Sequence, residues 1–239
     1  MKKINKSNVL ITGGLGFIGS NLASVLIEQG ASVTLVDSLI PEYGGNLQNI
    51  SHIVDKVDVN ICDIRDPFAI RHLLKGKDFL FNLAGQTSHM DSMHHPQNDL
   101  EINAKAQLSI LEACRDINPN IKIIFASTRQ LYGKPDYLPV DEKHPIRPVD
   151  INVINKLAGE SYHLLYNDVY GIRSCALRLT NTYGPAMRIK DARQTFLGIW
   201  IKLLLEGDTI KVFGDGKQLR DFNYIDDCVD ALIIAAISC

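Results

Sequence analysis

Apolar residues along this chain gather in short stretches, some continuous and some broken by single polar residues, that alternate with longer stretches in which they recur every three or four positions. Runs of the first kind suit strands buried on both faces, and stretches of the second kind suit helices with one apolar side. The runs cover 9–11, 32–36, 57–62, 79–83, 121–126 and 172–179, so six strands are predicted there. Between them, Ile18, Leu22, Val25 and Leu26 mark the buried side of one helix. Leu100, Ala104, Leu108 and Leu111 mark the stripe of a helix over about 97–116, in which the mid-helix Asn103 is expected to be solvated unless it props a neighbouring strand. Further helices are predicted over about 150–167 and 193–205, and the Pro-rich connection over 135–148 cannot be helical throughout. Strands alternating with helices in this way predict an α/β fold, a parallel sheet covered on both faces.

The first strand stops in glycines and restarts as a helix. Gly13, Gly16 and Gly19 share one spacing, and Gly14, Gly16 and Gly19 satisfy G-x-G-x-x-G, with Phe17 and Ile18 opening the helix. A glycine corner between strand and helix lets backbone approach a pyrophosphate, which then faces the free N–H groups and positive end of the helix. The second strand ends in Asp37, whose carboxylate can accept both hydroxyls of an adenine ribose and would repel a 2′-phosphate. No Arg or Lys lies between Ser38 and Asn49 to reverse that preference, so NAD is expected rather than NADP.

Other strand ends add candidates. Asp63 follows the third strand and is placed either to meet the adenine amino group, with Ile64 on the ring, or to cap the next helix. Leu83, Ala84 and Gly85 follow the fourth strand, where small residues let a ligand pass close. Ser127 and Thr128 put hydroxyls at the carboxyl end of the fifth, which opens onto the ligand crevice of such a sheet. Asn152 and Lys156, four residues apart, share a helix face. His89, His94 and His95 lack Cys or acidic partners at ligand spacing, so they are read as loop or pocket-lining residues and no metal is expected.

Composition narrows the class without changing it. With 46% hydrophobic and 22% charged residues and a net charge of −2, nothing argues for a nucleic-acid or membrane surface. Residues 1–8 lead directly into the first strand, without the apolar segment of a signal peptide, and no apolar run reaches the ~20 residues that span a bilayer. The five cysteines form no C-x-x-C pair, and reduced thiols in a cytoplasmic protein are expected. The chain is long enough for a sheet domain over 1–180 and a smaller substrate-binding lobe over 181–239, partly interleaved with it.

The stretches Thr-Gly-Gly-Leu-Gly-Phe-Ile-Gly at 12–19, Asp-Ile-Arg-Asp at 63–66, Asn-Leu-Ala-Gly at 82–85, Ser127-Thr128 before Tyr132-Gly133, Lys-Leu-Ala-Gly-Glu at 156–160, 178–185, and Arg-Asp-Phe-Asn-Tyr-Ile-Asp-Asp at 220–227 together resemble the extended short-chain dehydrogenase/reductase family. The resemblance is to its NAD-dependent nucleotide-sugar epimerases and dehydratases and covers almost the whole chain. It implies a Rossmann-type doubly wound sheet and a bound NAD that takes a hydride from a sugar carbon and later returns it. It also implies that Thr128 hydrogen-bonds the reacting hydroxyl, that Lys156 holds the nicotinamide ribose, and that Asn181 and Arg220 grip a nucleotide-diphosphate sugar. A homodimer paired through the helices over 97–116 and 150–167 is a further implication.

The chain departs from that family's pattern in three places. The catalytic helix of the family reads Tyr-x-x-x-Lys, and here Asn152 stands where the phenol would be; an amide can position a hydroxyl but cannot act as a base. Tyr137 and His163 are candidates for the missing base, while a protein that binds NAD and sugar without turnover is the competing class. The dehydratases carry Asp-Glu after the Thr, whereas this chain has Arg129 and Gln130, which disfavours 4,6-dehydration and weakens decarboxylation. Epimerisation, needing only reversible oxidation and rotation of the ketone, is the leading reading. The chain ends twelve residues after Asp227, so an incomplete or minimal substrate lobe is expected.

Overall fold

The computed structural model of the chain describes residues 4–190 and 196–238. Six parallel strands, β1 (Asn8–Thr12), β2 (Ser32–Asp37), β3 (Val57–Ile61), β4 (Phe79–Asn82), β5 (Lys122–Thr128) and β6 (Ser174–Leu179), form one sheet in the order β3-β2-β1-β4-β5-β6. The order reverses beside β1, and in such sheets ligands lie across the carboxyl ends at that point. Neighbouring side chains alternate between faces. Val9, Ile11, Phe79 and Phe81 point into one core layer and Leu10, Leu80 and Ile123 into the other.

The first layer is covered by α1 (Phe17–Glu28) and α8 (Ile225–Ser238), which bring Leu22, Leu26, Val229 and Leu232 onto the sheet. The second is covered by α2 (Pro67–Leu73), α5 (Ala106–Ile117) and α6 (Ile151–Tyr170). Two short helices, α3 (His89–His94) and α4 (Pro96–Leu100), lead into α5, and α7 (Phe196–Glu206) lies in the C-terminal segment. A separate parallel pair, β7 (Asn181–Tyr183) and β8 (Phe222–Tyr224), precedes α8. Although late in the chain, α8 belongs to the main core, where the Lys122 Nζ donates to the Ala236 carbonyl at 3.1 Å.

The expected helix over 97–116 is interrupted. A π-helical turn, Glu101–Lys105, joins α4 to α5 and shifts the phase of the buried stripe. Leu100 is consequently exposed, while Ala104 and Leu111 are buried as expected and Ile102, Ala106, Ile110 and Cys114 join them. Asn103, inside this turn, is fully buried rather than solvated: its Nδ2 donates to the Gln86 carbonyl at 2.9 Å, while its Oδ1 has no partner among the described residues. Residues 193–195, the expected start of the α7 helix, and Cys239 lie outside the described residues. Cys62, Cys114, Cys175 and Cys228 form no disulfide among the described residues.

Candidate active site

The carboxyl ends of the strands open onto a cleft of about 310 Å³ lined by β1–α1 glycines at one end and by Thr128, Asn152 and Lys156 at the other. Gly13 sits at φ +68°, and a Cβ on Gly19 would lie 2.3 Å from the Gly13 carbonyl oxygen, so the corner closes only without side chains. Gly16 differs. A Cβ there would meet only the Gly13 oxygen, at 3.2 Å, which leaves the N-terminal backbone of α1 open toward the cleft.

Asp37 lies beside this corner. Its carboxylate accepts from the Leu15 and Leu39 N–H groups at 3.2 and 2.9 Å, and burial pushes its pKa up against those bonds. Asp63 also lines the cleft, but it is not the helix cap: Asp66 caps α2 by accepting from Phe68 and Ala69, and Asp63 instead forms an ion pair with Arg65 at 2.6 Å.

At the opposite end, Thr128 caps the 3₁₀ turn Arg129–Tyr132 by accepting from the Gln130 N–H at 3.2 Å. The strand carrying it is clamped from behind, because Ser127 donates to the buried Glu160 carboxylate, which also receives Arg178 at 2.6 Å. Lys156 is buried; its Nζ donates to the Ala126 carbonyl at 3.2 Å and lies over the Phe125 ring. Burial pulls this amine down to about 8, with the Asp99 carboxylate partly opposing. Gly85 completes the wall, since a Cβ there would lie 2.7 Å from the Lys156 Nζ.

Asn152 is turned away from the chemistry its position suggests. Its Nδ2 donates to the Gln86 carbonyl, the Gln86 Oε1 and the Asp99 Oδ2 at 2.8, 3.1 and 2.9 Å, and Asn155 holds the other Asp99 oxygen at 2.8 Å. Gln86, Asp99 and Asn155 had no sequence signal that singled them out.

Neither sequence candidate for the missing base reaches the cleft. His163 is fully buried against Phe125, its ring nitrogens facing Ser174 and Asn82, and burial together with the Lys156 charge pulls its pKa down to about 3. The Tyr137 hydroxyl donates to Asp141 at 2.6 Å in the exposed connection after β5, and that bond pushes its pKa up to about 12. Asn181 does line the cleft, where it accepts from Arg129 at 3.2 Å. Arg220 lines an adjoining hollow of about 190 Å³ that shares Arg129, Gln130 and Asn181 with the main cleft.

The family model for NAD dependent epimerases and dehydratases matches residues 9–238. The chain belongs to that family. A putative UDP-glucose 4-epimerase of Methanocaldococcus jannaschii is 37% identical over 95% of this chain and 72% of its own length. A UDP-N-acetyl-alpha-D-glucosaminuronate decarboxylase of Bacillus cytotoxicus is 33% identical over 96% of the chain and 71% of its own. Among solved structures, the UDP-N-acetylglucosamine 4-epimerase from Methanobrevibacter ruminantium, in complex with UDP-N-acetylmuramic acid, superposes with a TM-score of 0.91 at 31% identity, covering 98% of this chain and 74% of that one. In this member of the NAD dependent epimerase/dehydratase family the open backbone at Gly16 and the carboxylate of Asp37 at the neighbouring strand end fit the family's cofactor.

Proposed function

We propose that the chain is a nucleotide-sugar epimerase that oxidises a sugar hydroxyl reversibly, with a UDP-hexose inverted at C4 as the reaction its relatives support. The observation that carries this reading is the wall formed by Thr128 and Lys156 beside Gly85, followed by Arg129 and Gln130 where an acid–base pair for elimination would stand. NAD, when bound, supplies the hydride acceptor. The backbone at Gly13, Gly16 and Gly19 would let the diphosphate approach the N-terminal N–H groups at Phe17 and Ile18, Asp37 would hold the adenine ribose, and Asp63 with Ile64 the adenine. Leu83, Ala84 and Gly85 would flank the nicotinamide, Lys156 would hold its ribose, and Thr128 would orient the reacting hydroxyl. Asn181 and Arg220, with Arg129 beside them, place three polar groups on the sugar diphosphate, and guanidinium forks suit that anion.

In this reading 1–180 is the cofactor domain and 181–239 the substrate lobe, with α8 returned to the cofactor domain. Pairing of two copies through α6 is supported by its exposed apolar side, Ile154, Leu165 and Val169, and sizing by light scattering checks it. A role in binding alone has no support among the relatives, which are named as enzymes. Purified protein mixed with NAD and UDP-glucose or UDP-galactose should convert each into the other, with transient absorbance near 340 nm from reduced cofactor. Conversion of neither, with NAD bound, overturns the reading.

A further inference from the structure

The cleft wall contains one imidazole. His89, the first residue of α3, lines the cleft with Thr128, Asn152 and Lys156. Its Nδ1 lies 2.6 Å from the Asp150 Oδ2, and its Nε2 has no partner among the described residues. Asp150 is itself fixed, because its other oxygen accepts from the Val153 N–H at 2.9 Å and caps α6. Ser92 adds a second tie: its hydroxyl donates to the His89 carbonyl at 2.7 Å and accepts from the Asn152 N–H at 3.2 Å. Backbone and ring of His89 are therefore both anchored to the first turn of α6, the turn that carries Asn152.

The other titratable groups of the cleft are unsuited to taking a proton from a sugar hydroxyl. Asp37, Cys62 and Asp63 sit at the ends of β2 and β3, the adenine end, and the Tyr43 hydroxyl is engaged there by Asn98. Arg129 has no lone pair to offer. Lys156 is committed to the Ala126 carbonyl and, in the reading above, to the ribose. A carboxylate on Nδ1 fixes the tautomer that leaves Nε2 as an acceptor, the arrangement by which an imidazole becomes a general base.

We propose that His89, oriented by Asp150, is the general base of this chain and performs the proton transfer for which Asn152 has no titratable group. The inference rests on the proposed reading of the cleft as a site of sugar oxidation. In the forward step the carbinol C–H bond breaks and its hydrogen leaves with both electrons to the nicotinamide ring of NAD, while the hydroxyl proton passes to the His89 Nε2 and the C=O bond forms. In the return step the hydride adds to the opposite face of the ketone and the imidazolium gives its proton back, so the protein and NAD end unchanged.

His89→Gln is expected to lower kcat by ~10²–10⁴-fold, with NAD affinity and KM held within about 3-fold, and added imidazole is expected to restore turnover in His89→Ala. Asp150→Asn keeps the helix cap and, as a positioning change, is expected to lower kcat by ~10-fold or more with KM unchanged; it carries the test if the His89 variants do not fold. A readout independent of turnover uses diethyl pyrocarbonate on nucleotide-free protein with peptide mapping. His89 should be carbethoxylated, NAD with UDP should protect it, and Asp150→Asn should slow the reaction.

If the parent protein converts UDP-sugars and His89→Gln retains its rate, His89 is not the base and the proposed function stands. If the parent converts none, that reading falls first and modification decides the dyad: a His89 that neither reacts nor is protected overturns it, and a reactive, protected one keeps the imidazole in the cleft.

Discussion

Replacing Lys156 by Met tests how strongly the candidate site works against the stability of the protein. Burial holds this amine at about 8, against an ordinary lysine value of 10.5. At ~1.4 kcal/mol per pKa unit, that gap means folding carries a penalty of roughly 3 kcal/mol while the amine is charged. The sign follows from proton counts. Below about pH 8 native and unfolded chains both hold the proton and the penalty is complete; from there to about 10.5 the native amine loses its proton while the unfolded chain keeps it, so stability rises with pH across that window. Methionine removes the charge and the pH dependence together, at the loss of ~1 kcal/mol for the bond to the Ala126 carbonyl. Nucleotide-free Lys156→Met should therefore be ~2 kcal/mol more stable than the parent at pH 7, a gain of roughly 4–8 °C in Tm for a chain of this size. By pH 10 most of that advantage should be gone, and NAD binding should be weaker throughout. Urea unfolding of both proteins from pH 6 to 10 measures this directly. A variant less stable than the parent at pH 7, or a difference that does not change with pH, would refute the account of Lys156 as a buried cation kept for function.

The glycine corner should separate binding from folding: Gly16→Ala meets only one atom within 4 Å and should fold while losing at least ~10-fold in NAD affinity by fluorescence titration, whereas Gly19→Ala, with its Cβ 2.3 Å from a carbonyl, should fail to give soluble folded protein. Asp37→Asn should weaken NAD by ~10-fold and narrow the preference for NAD over NADP, because the lost charge is what repels a 2′-phosphate; an unchanged ratio of dissociation constants would remove Asp37 from the ribose site. Arg178→Met leaves the buried Glu160 carboxylate without its cation and should lower stability by ~3–5 kcal/mol in chemical unfolding, while the double change with Glu160→Gln should cost clearly less than the two singles together.

The sheet was legible because its signal is local and repeated. Six apolar-rich stretches bounded by polar loops read as strands, and the structure moves their ends by a residue or two, although β3, at the sheet edge, is half-exposed. The glycine corner and the position of Asp37 at the neighbouring strand end were legible for a related reason: both follow from backbone geometry at a strand end, which neighbouring residues announce. The π turn at Glu101–Lys105 was not, since an inserted residue changes helical phase without changing composition, and Leu100 took the place in the stripe that belongs to Ile102. Side-chain networks were the least visible. His163, seven residues past Lys156, stacks on the same Phe125 ring that the Lys156 amine lies over, but it is buried away from the cleft, whereas His89, far away in sequence, reaches the cleft because Asp150 and Ser92 bring α3 onto α6. No spacing rule links residues 89 and 150; only the packing of α3 against α6 does.

That packing also decides what Asn152 is for. Viewed along the helix alone, it is a tyrosine position that has lost its phenol, and Asn152→Tyr would be expected to restore activity. In the structure its amide is the donor for the Gln86 carbonyl, the Gln86 side chain and one oxygen of Asp99, a carboxylate with no exposure to water. A tyrosine there offers a single donor at the end of a longer side chain, must find room in a buried site, and leaves Asp99 with Asn155 as its remaining amide partner. Each buried acceptor stripped of its donor costs ~1–3 kcal/mol, more when it is charged, and overpacking adds a similar amount. Asn152→Tyr is therefore expected to lose at least ~3 kcal/mol of stability and to gain no rate, because the proton already has a destination at His89. Measuring unfolding and turnover on the same preparation checks both halves: a variant as stable as the parent would show that the Asn152 bonds do not hold α6 to the loop carrying Gln86, and one that is faster would show that the phenol, not the imidazole, is the group this cleft is built to use.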